Sequence, residues 1–336
     1  MKKIGLTLGK FAPLHKGHQY LIETALKEVE ELILVIYNSD NICPIPLNIR
    51  ANWIRKLYPK VKIIEAWDGP DDMGDTPEIK SIQETYIKNI LQGKKITHFY
   101  SSEFYGEHMS SALKAINRIV DKPRNTFNIS GTLIRKNAYK YKEYIDPLVY
   151  KDLITNIVFL GAPSSGKTTI AKGLAEEYRT LWMPEYGREY WEKNQINRRL
   201  TLPQLTEIAE EHLTREDDLI LKSNKYIFTD TNAITTYLFS LYYHGKADKK
   251  LIKLAKIAEK RYDLFFLCDI DIPYDDSWDR SGDANRKVFQ KQIIADLKQR
   301  EISYVILRGD ITKRINSVKL ILNKLPTSSV CQRKQL

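Results

Sequence analysis

The chain has 336 residues, 43% of them hydrophobic, and a formal net charge of +11, which suits about two folded domains with anionic partners such as nucleotides. No apolar run approaches the roughly 18–20 residues of a membrane helix, and Met1-Lys2-Lys3 leads into a strand-like segment with no signal-peptide pattern. The scattered Cys43, Cys268 and Cys331 form neither a disulfide framework nor a zinc site, so a reducing cytoplasm is the expected home, with no membrane contact and no basic arm for nucleic acid.

In chain order, "KKIGLTLG" reads as a buried strand and "HQYLIETALKEVE" as an amphipathic helix. "LILVIYN", "VKIIEA" and "ITHFYSS" continue as strands, separated by the helical "RANWIRKLY" and "IQETYIKNIL". Such alternation predicts an α/β fold with a parallel sheet. After the helix-like "YKEYIDPLVYKDL" the cycle restarts with the strand "NIVFLGA" and the helix "TIAKGLAEEY". A long helix "LTEIAEEHLTREDDLIL", strands "KYIFTDT", "LFFLCDI" and "YVILRG", and the helix "TKRINSVKLILNKL" follow. The expectation is two parallel-sheet domains, residues 1–152 and 153–336.

Gly9 ends the first strand where the backbone must turn and leave room for a ligand. His15 and His18 follow at the entrance to a helix, three residues apart and able to face one anion. "NISGTLIR" supplies a complement: Ser130 or Thr132 caps a helix whose free N–H groups meet phosphate, and Arg135 adds a permanent planar cation. An ordinary capping turn after two exposed histidines would use the same residues.

In the second half, Gly161-Ala-Pro-Ser-Ser-Gly166-Lys167-Thr168 fits the phosphate-loop pattern, with a strand before it and a helix after it. The N–H groups of Gly161, Ser164, Ser165, Gly166, Thr168 and Thr169 are candidates to cradle phosphates. Lys167 reaches the β/γ oxygens and the Thr168 hydroxyl ligates Mg²⁺. Asp230 ends the strand "YIFTDT", suited to a metal-side carboxylate or general base, with capping of the next helix as the alternative. "DDSWDRSGDANR" offers Arg280 and Arg286 either as lid arginines or as a solvated loop. "EYGREY" offers Glu185, Tyr186 and Arg188 for a substrate ring and ribose, or for aromatic packing.

At His15-Lys16-Gly17-His18 and Ser130-Gly131-Thr132-Leu133-Ile134-Arg135 the chain resembles the HxGH nucleotidyltransferases. The succession "GKFAPLHKGH", "SSE", "ISGTLIR", "GAPSSGKT", "EYGREY" and "TDTNAITT" resembles the bifunctional NadR family over most of the chain. That resemblance implies a kinase phosphorylating nicotinamide riboside to nicotinamide mononucleotide (NMN) with ATP and Mg²⁺. It also implies an adenylyltransferase converting NMN and ATP to NAD and pyrophosphate. Gly9, Lys10 and Phe11 would then join His15, His18, Ser130, Thr132 and Arg135 around ATP, while Lys167 and Asp230 would serve the kinase.

Three departures shape the expectations. Strand one begins within a few residues of Met1, so no helix-turn-helix module and no sequence-specific nucleic-acid binding is expected. The family's nicotinamide-facing tryptophan loop is not reproduced in "WDGPDDMGDTPEI", leaving Trp53 and Trp67 as candidates for the ring. The usual "DDGLRS" lid is replaced by the longer "DDSWDRS". The main competing reading is an HxGH transferase for another acceptor fused to a different small-molecule kinase. A homo-oligomer is compatible with all of this and specified by none of it.

Overall fold

The computed structural model describes residues 2–38, 45–70, 74–103, 105–196, 199–274 and 283–325. The chain divides into two compact units, Met1–Tyr150 and Lys151–Leu336.

The first unit runs β1 (Ile4–Gly9), α1 (Lys16–Glu28), β2 (Glu31–Tyr37), α2 (Leu47–Leu57), β3 (Lys62–Ala66), α3 (Pro77–Ile90), β4 (His98–Ser101), α4 (Gly106–Leu113), β5 (Ile116–Ile119) and α5 (Gly131–Lys136). Its five strands form one parallel sheet in the order β3-β2-β1-β4-β5. β1 and β2 pair from Ile4–Glu31 to Gly9–Ile36, so both end at the same edge. Leu6, Leu8, Ile33, Val35 and Phe99 form a core against Ile87, Leu91 and Met109 of the covering helices. The order reverses beside β1, between β2 and β4, and ligands in open parallel sheets bind at such a crevice beyond the carboxyl ends.

Helix α6 (Pro147–Leu153) leads into the second unit: β6 (Thr155–Leu160), α7 (Lys167–Glu177), β7 (Leu181–Met183), α8 (Tyr186–Asn194), α9 (Leu202–Ile220), β8 (Tyr226–Asp230), α10 (Ala233–His244), α11 (Lys249–Ala258), β9 (Leu264–Cys268), α12 (Asp283–Gln299), β10 (Val305–Leu307) and α13 (Ile311–Lys324). The strands are again all parallel, in the order β10-β9-β6-β8-β7. Side chains of β6 alternate between two cores, as strand geometry requires. Ile157 and Phe159 pack with α7 and α13, while Val158 and Leu160 pack with α10, α11 and α12. Phe159 stacks on Phe266 at 5.5 Å, fixing β6 against β9 directly beneath the phosphate loop. The expected two-sheet α/β fold is present. β5 escaped the sequence reading because "INRI" is short, mostly exposed and without an apolar run.

Candidate functional sites

In the first unit, a cavity of about 440 Å³ opens at the carboxyl edge of β1. Gly9, Lys10, Phe11, His15, His18, Ser130, Thr132 and Arg135 all line it, so two segments more than 100 residues apart converge as the motifs require. The His15 and His18 rings stack with centroids 3.7 Å apart, and Phe11 meets His18 edge-on at 4.9 Å. Burial, reinforced by the Arg124 charge, pushes the His15 pKa down to about 4. Burial, the neighbouring His15 and Arg124 hold His18 well below its ordinary value. Both rings are therefore neutral near pH 7, each with one N–H to offer. Neither Nδ1 has a partner among the described residues.

Ser130 caps α5, its Oγ accepting from Leu133 N at 3.3 Å. Arg135 donates to Ala12 O at 2.5 Å and to Thr132 Oγ1 at 3.0 Å, fixing the guanidinium across the cavity mouth. Gly131 is required here, since a Cβ would meet Ala12 O at 2.8 Å. The sequence reading missed Arg50 and Arg124. Arg50, fully buried, donates to Tyr37 O and Ile45 O at 2.9 Å and to Lys10 O, locking the turn after β1 to the end of β2. One arginine of an amphipathic helix that also carries Arg55 and Lys56 stands out by no periodic signal, so only the fold reveals its role. Arg124 lines the cavity and brings its charge to both histidines.

The two tryptophans are corrections. Trp53 is fully buried on the apolar face of α2 with Ala51 and Ile54, so it is core and not a ring platform. Trp67 is 56% exposed, donates from Nε1 to Glu65 at 3.1 Å, and does not line the cavity. Asn38, Pro70, Gly74 and Gln83 also line the cavity.

The second unit carries a cavity of about 600 Å³, lined by Gly161, Ser164, Ser165, Gly166, Lys167, Thr168 and Thr169 at one end. Gly161 and Gly166 adopt positive φ of 144° and 83°, and a Cβ on Gly161 would meet Cys268 O at 2.6 Å. Lys167 donates to Ala162 O at 3.1 Å. Thr168 Oγ1 donates to Asp230 Oδ2, which joins the helix start to the end of β8. Asp230 is fully buried and its Oδ1 has no partner among the described residues. Burial and the Glu185 charge lift its pKa to about 6, against the pull of Lys167, Thr168 and Arg188. A hydroxyl and an unsatisfied carboxylate oxygen side by side, next to a phosphate cradle, are a hard oxygen donor set of the kind Mg²⁺ takes together with substrate phosphates.

Glu185 and Arg188 line this cavity and pair at 3.6 Å. Tyr186 does not line it: its ring lies under the Arg215 guanidinium at 4.0 Å and edge-on to Tyr190, so it fastens α8 to α9. Arg286 is a further correction. It is 3% exposed on α12, and donates to Ser164 O and Ile272 O at 3.1 Å, so it braces the phosphate loop instead of riding on a lid. Arg280 lies outside the described residues. Arg314, unforeseen from sequence, is fully buried and reaches from α13 to Ser165 O at 2.7 Å, Gly309 O at 2.8 Å, Asp269 O at 3.0 Å and the Asp271 carboxylate. Trp191, Leu205, Ile208, His212, Phe239 and Tyr243 complete the cavity away from the loop, and the sequence reading singled out none of them.

Comparison with known proteins follows the same division. The cytidylyltransferase-like family matches residues 6–137 and the AAA domain family matches residues 156–314. The trifunctional NAD biosynthesis/regulator protein NadR of Salmonella typhimurium is 31% identical over 328 residues, which cover 90% of this chain and 78% of that protein. The chain belongs to the NadR family. The Escherichia coli NadR is 30% identical over 329 residues, with the same coverage of 90% and 78%. A crystal structure of a NadR protein in complex with NAD and AMP-PNP superposes with a TM-score of 0.55 at 22% identity over 96% of both chains. At that identity the superposition speaks for the shared NadR fold. Phosphopantetheine adenylyltransferase of Fusobacterium nucleatum is 25% identical over 163 residues, 45% of this chain and 94% of that protein. Among the described residues of this NadR-family chain, no helix is long and apolar enough to cross a membrane.

Proposed function

We propose that this chain is a cytoplasmic two-step NAD-forming enzyme, with an adenylyltransferase in residues 1–152 and a nicotinamide riboside kinase in 153–336. The observation that carries the reading is the pair of separate phosphate cradles, each at the carboxyl edge of its own parallel sheet, in a chain of the NadR family. The two reactions are linked by chemistry, since the mononucleotide formed by the second unit is the acceptor for the first.

In the kinase step the 5′-hydroxyl of the riboside attacks the γ-phosphorus of ATP and ADP leaves. Backbone N–H groups of residues 161–169 and the Lys167 ammonium hold the phosphates. Asp230 faces the hydroxyl, where its unpartnered Oδ1 accepts the proton or orients the nucleophile. Glu185 and Arg188 bind the sugar side of the riboside. Thr168 and Asp230 would hold Mg²⁺, which would supply positive charge to offset that of the transferring phosphates. Arg286 and Arg314 act one layer back, holding the carbonyls of Ser164 and Ser165 away from the phosphates so that the loop N–H groups point inward.

In the adenylyl transfer an NMN phosphate oxygen attacks the α-phosphorus of ATP and pyrophosphate leaves. Neutral His15 and His18 donate N–H groups to phosphate oxygens, while Thr132, Arg135 and the start of α5 receive the growing charge on the leaving group. Preplaced donors are sufficient for such a step because no covalent intermediate needs to form.

The test is a chromatographic time course of purified protein with Mg²⁺, ATP and nicotinamide riboside. NMN followed by NAD, with ADP and pyrophosphate released, is the expected result, and omission of Mg²⁺ stops the first conversion. An untouched riboside together with rapid use of pantetheine phosphate would replace this reading with another acceptor.

A further inference from the structure

Helix α9 lays one face along the kinase cavity, and the residues on that face are ordered. Leu205, Ile208 and His212 line the cavity, and Glu216 continues the same row one turn further on. Glu216 is fully buried and accepts a 2.5 Å hydrogen bond from Thr229 Oγ1, the residue before Asp230. Arg261 and Tyr262 also bond to Glu216. That network fixes the register of α9 against the end of β8, so the row reads outward from the reacting carboxylate: Glu216, His212, Ile208, Leu205. From His212 to Leu205 is seven residues, about 10 Å of helix, the span of a nucleoside's sugar and base together.

The chemistry changes along this ruler. At the outer end Leu205 and Ile208 pack with Leu200, and Trp191 lies beside them, a surface for a flat ring. At the inner end stands His212, 6% exposed, with an Nε2 that has no hydrogen-bond partner among the described residues. An enclosed imidazole nitrogen without a partner is costly in a folded protein. The side chain lines the cavity, and its χ2 is a soft torsion that leaves the ring free to adjust to a bound group. Burial holds the ring neutral, so it offers both a donor and an acceptor, the match for a sugar hydroxyl.

We infer that His212 is a specificity-determining residue of the kinase site, its imidazole hydrogen-bonding a ribose hydroxyl of the nucleoside while the Leu205–Ile208 end takes the base. The inference rests on the proposed riboside kinase activity and adds, beside Glu185 and Arg188, a further group that recognises the sugar.

The experiment compares wild type with His212→Phe, which keeps ring volume, and His212→Gln, which restores a polar end. Each is assayed on nicotinamide riboside and its 2′-deoxy and 3′-deoxy analogues. Wild type is expected to lose about 10- to 100-fold in kcat/KM on one deoxy analogue, the usual cost of leaving a buried polar group unpaired. His212→Phe should lose a similar factor on the riboside, mainly in KM. It should no longer distinguish that analogue, and should keep the wild-type KM for ATP. His212→Gln should recover part of the discrimination. A His212→Phe enzyme that still discriminates the same analogue, or whose KM for ATP rises in step with that for the riboside, overturns the assignment. Should wild type ignore nicotinamide riboside but phosphorylate another ribonucleoside, the riboside reading fails alone and the same comparison on that nucleoside decides His212. If no ribonucleoside is phosphorylated, both fall.

Discussion

Replacing Arg314 by Met tests how the phosphate loop is held. The guanidinium is fully buried and donates to three backbone carbonyls, those of Ser165, Gly309 and Asp269, besides pairing with Asp271. Met fills much of the volume but leaves those carbonyls without these donors, in an interior where water does not readily replace them. The Asp271 side chain is 35% exposed, so it regains solvent and adds little to the loss. Leaving a buried carbonyl without its donor costs about 1–3 kcal/mol, so losing three such bonds, two of them only part-buried, comes to about 3–5 kcal/mol. At roughly 2–4 °C per kcal/mol for a domain of this size, the second unit should melt about 6–20 °C lower. Function should fall in a defined way. KM for ATP in riboside phosphorylation rises, because Ser165 sits in the cradle, while NAD formation from NMN keeps its rate. Melting followed by circular dichroism, with and without AMP-PNP, and the two activities measured side by side are the assay. A variant that melts within 2 °C of wild type and binds ATP equally well would refute the view that this arginine shapes the loop.

The remaining predictions concern the two sites directly. His18→Ala should slow NAD formation from NMN by about 10²–10³, the usual effect of losing one preplaced donor, with riboside phosphorylation retained; loss of both activities would sink the two-site assignment. Asp230→Asn should reverse that pattern, abolishing NMN formation while NMN is still adenylylated, as coupled pyrophosphate release will report. The depressed His15 pKa, about 4, makes stability depend on pH. Above about 6.5 the ring is neutral folded or unfolded and contributes no pH dependence. As pH falls from there to about 4 the unfolded chain binds the proton first, removing up to about 3 kcal/mol. Urea midpoints of wild type and His15→Asn across that range should diverge, and parallel curves would contradict the burial argument.

The sequence exposed those parts of the molecule that obey local rules. Strand and helix periodicity gave both sheets because Ile33 to Ile36 or Ile157 to Leu160 must be apolar over a continuous run to be buried on two faces. The phosphate loop was visible because its backbone demands glycine at Gly161 and Gly166. Arg50, Arg286 and Arg314 show the limit. Each bonds backbone carbonyls distant in sequence, and such bonds ask nothing of the neighbouring residue types. Trp53 shows the converse error, since an aromatic residue in an amphipathic helix is core whenever its face turns to the sheet, and the helical stripe of Leu47, Ala51 and Ile54 already pointed there. His212 was invisible because it shares the buried face of α9 with other polar residues, Thr206 and Glu216, so nothing in the pattern set it apart.

Both sites close over long stretches of chain, and this bears on their birth during synthesis. Arg135 reaches Ala12 across 123 residues and Arg314 reaches Ser165 across 149. At about 5–20 residues per second of translation, the histidine turn waits roughly 6–25 s after Ala12 is made before its arginine exists, and the phosphate loop waits slightly longer for its own. Through those intervals the strands can pair, but neither anion cradle has its final shape. A nascent chain therefore carries exposed, half-built nucleotide clefts for most of its time on the ribosome, and the first is finished long before the second. The order of synthesis is thus the reverse of the order of chemistry: the NAD-forming site matures first and waits for the kinase that supplies it.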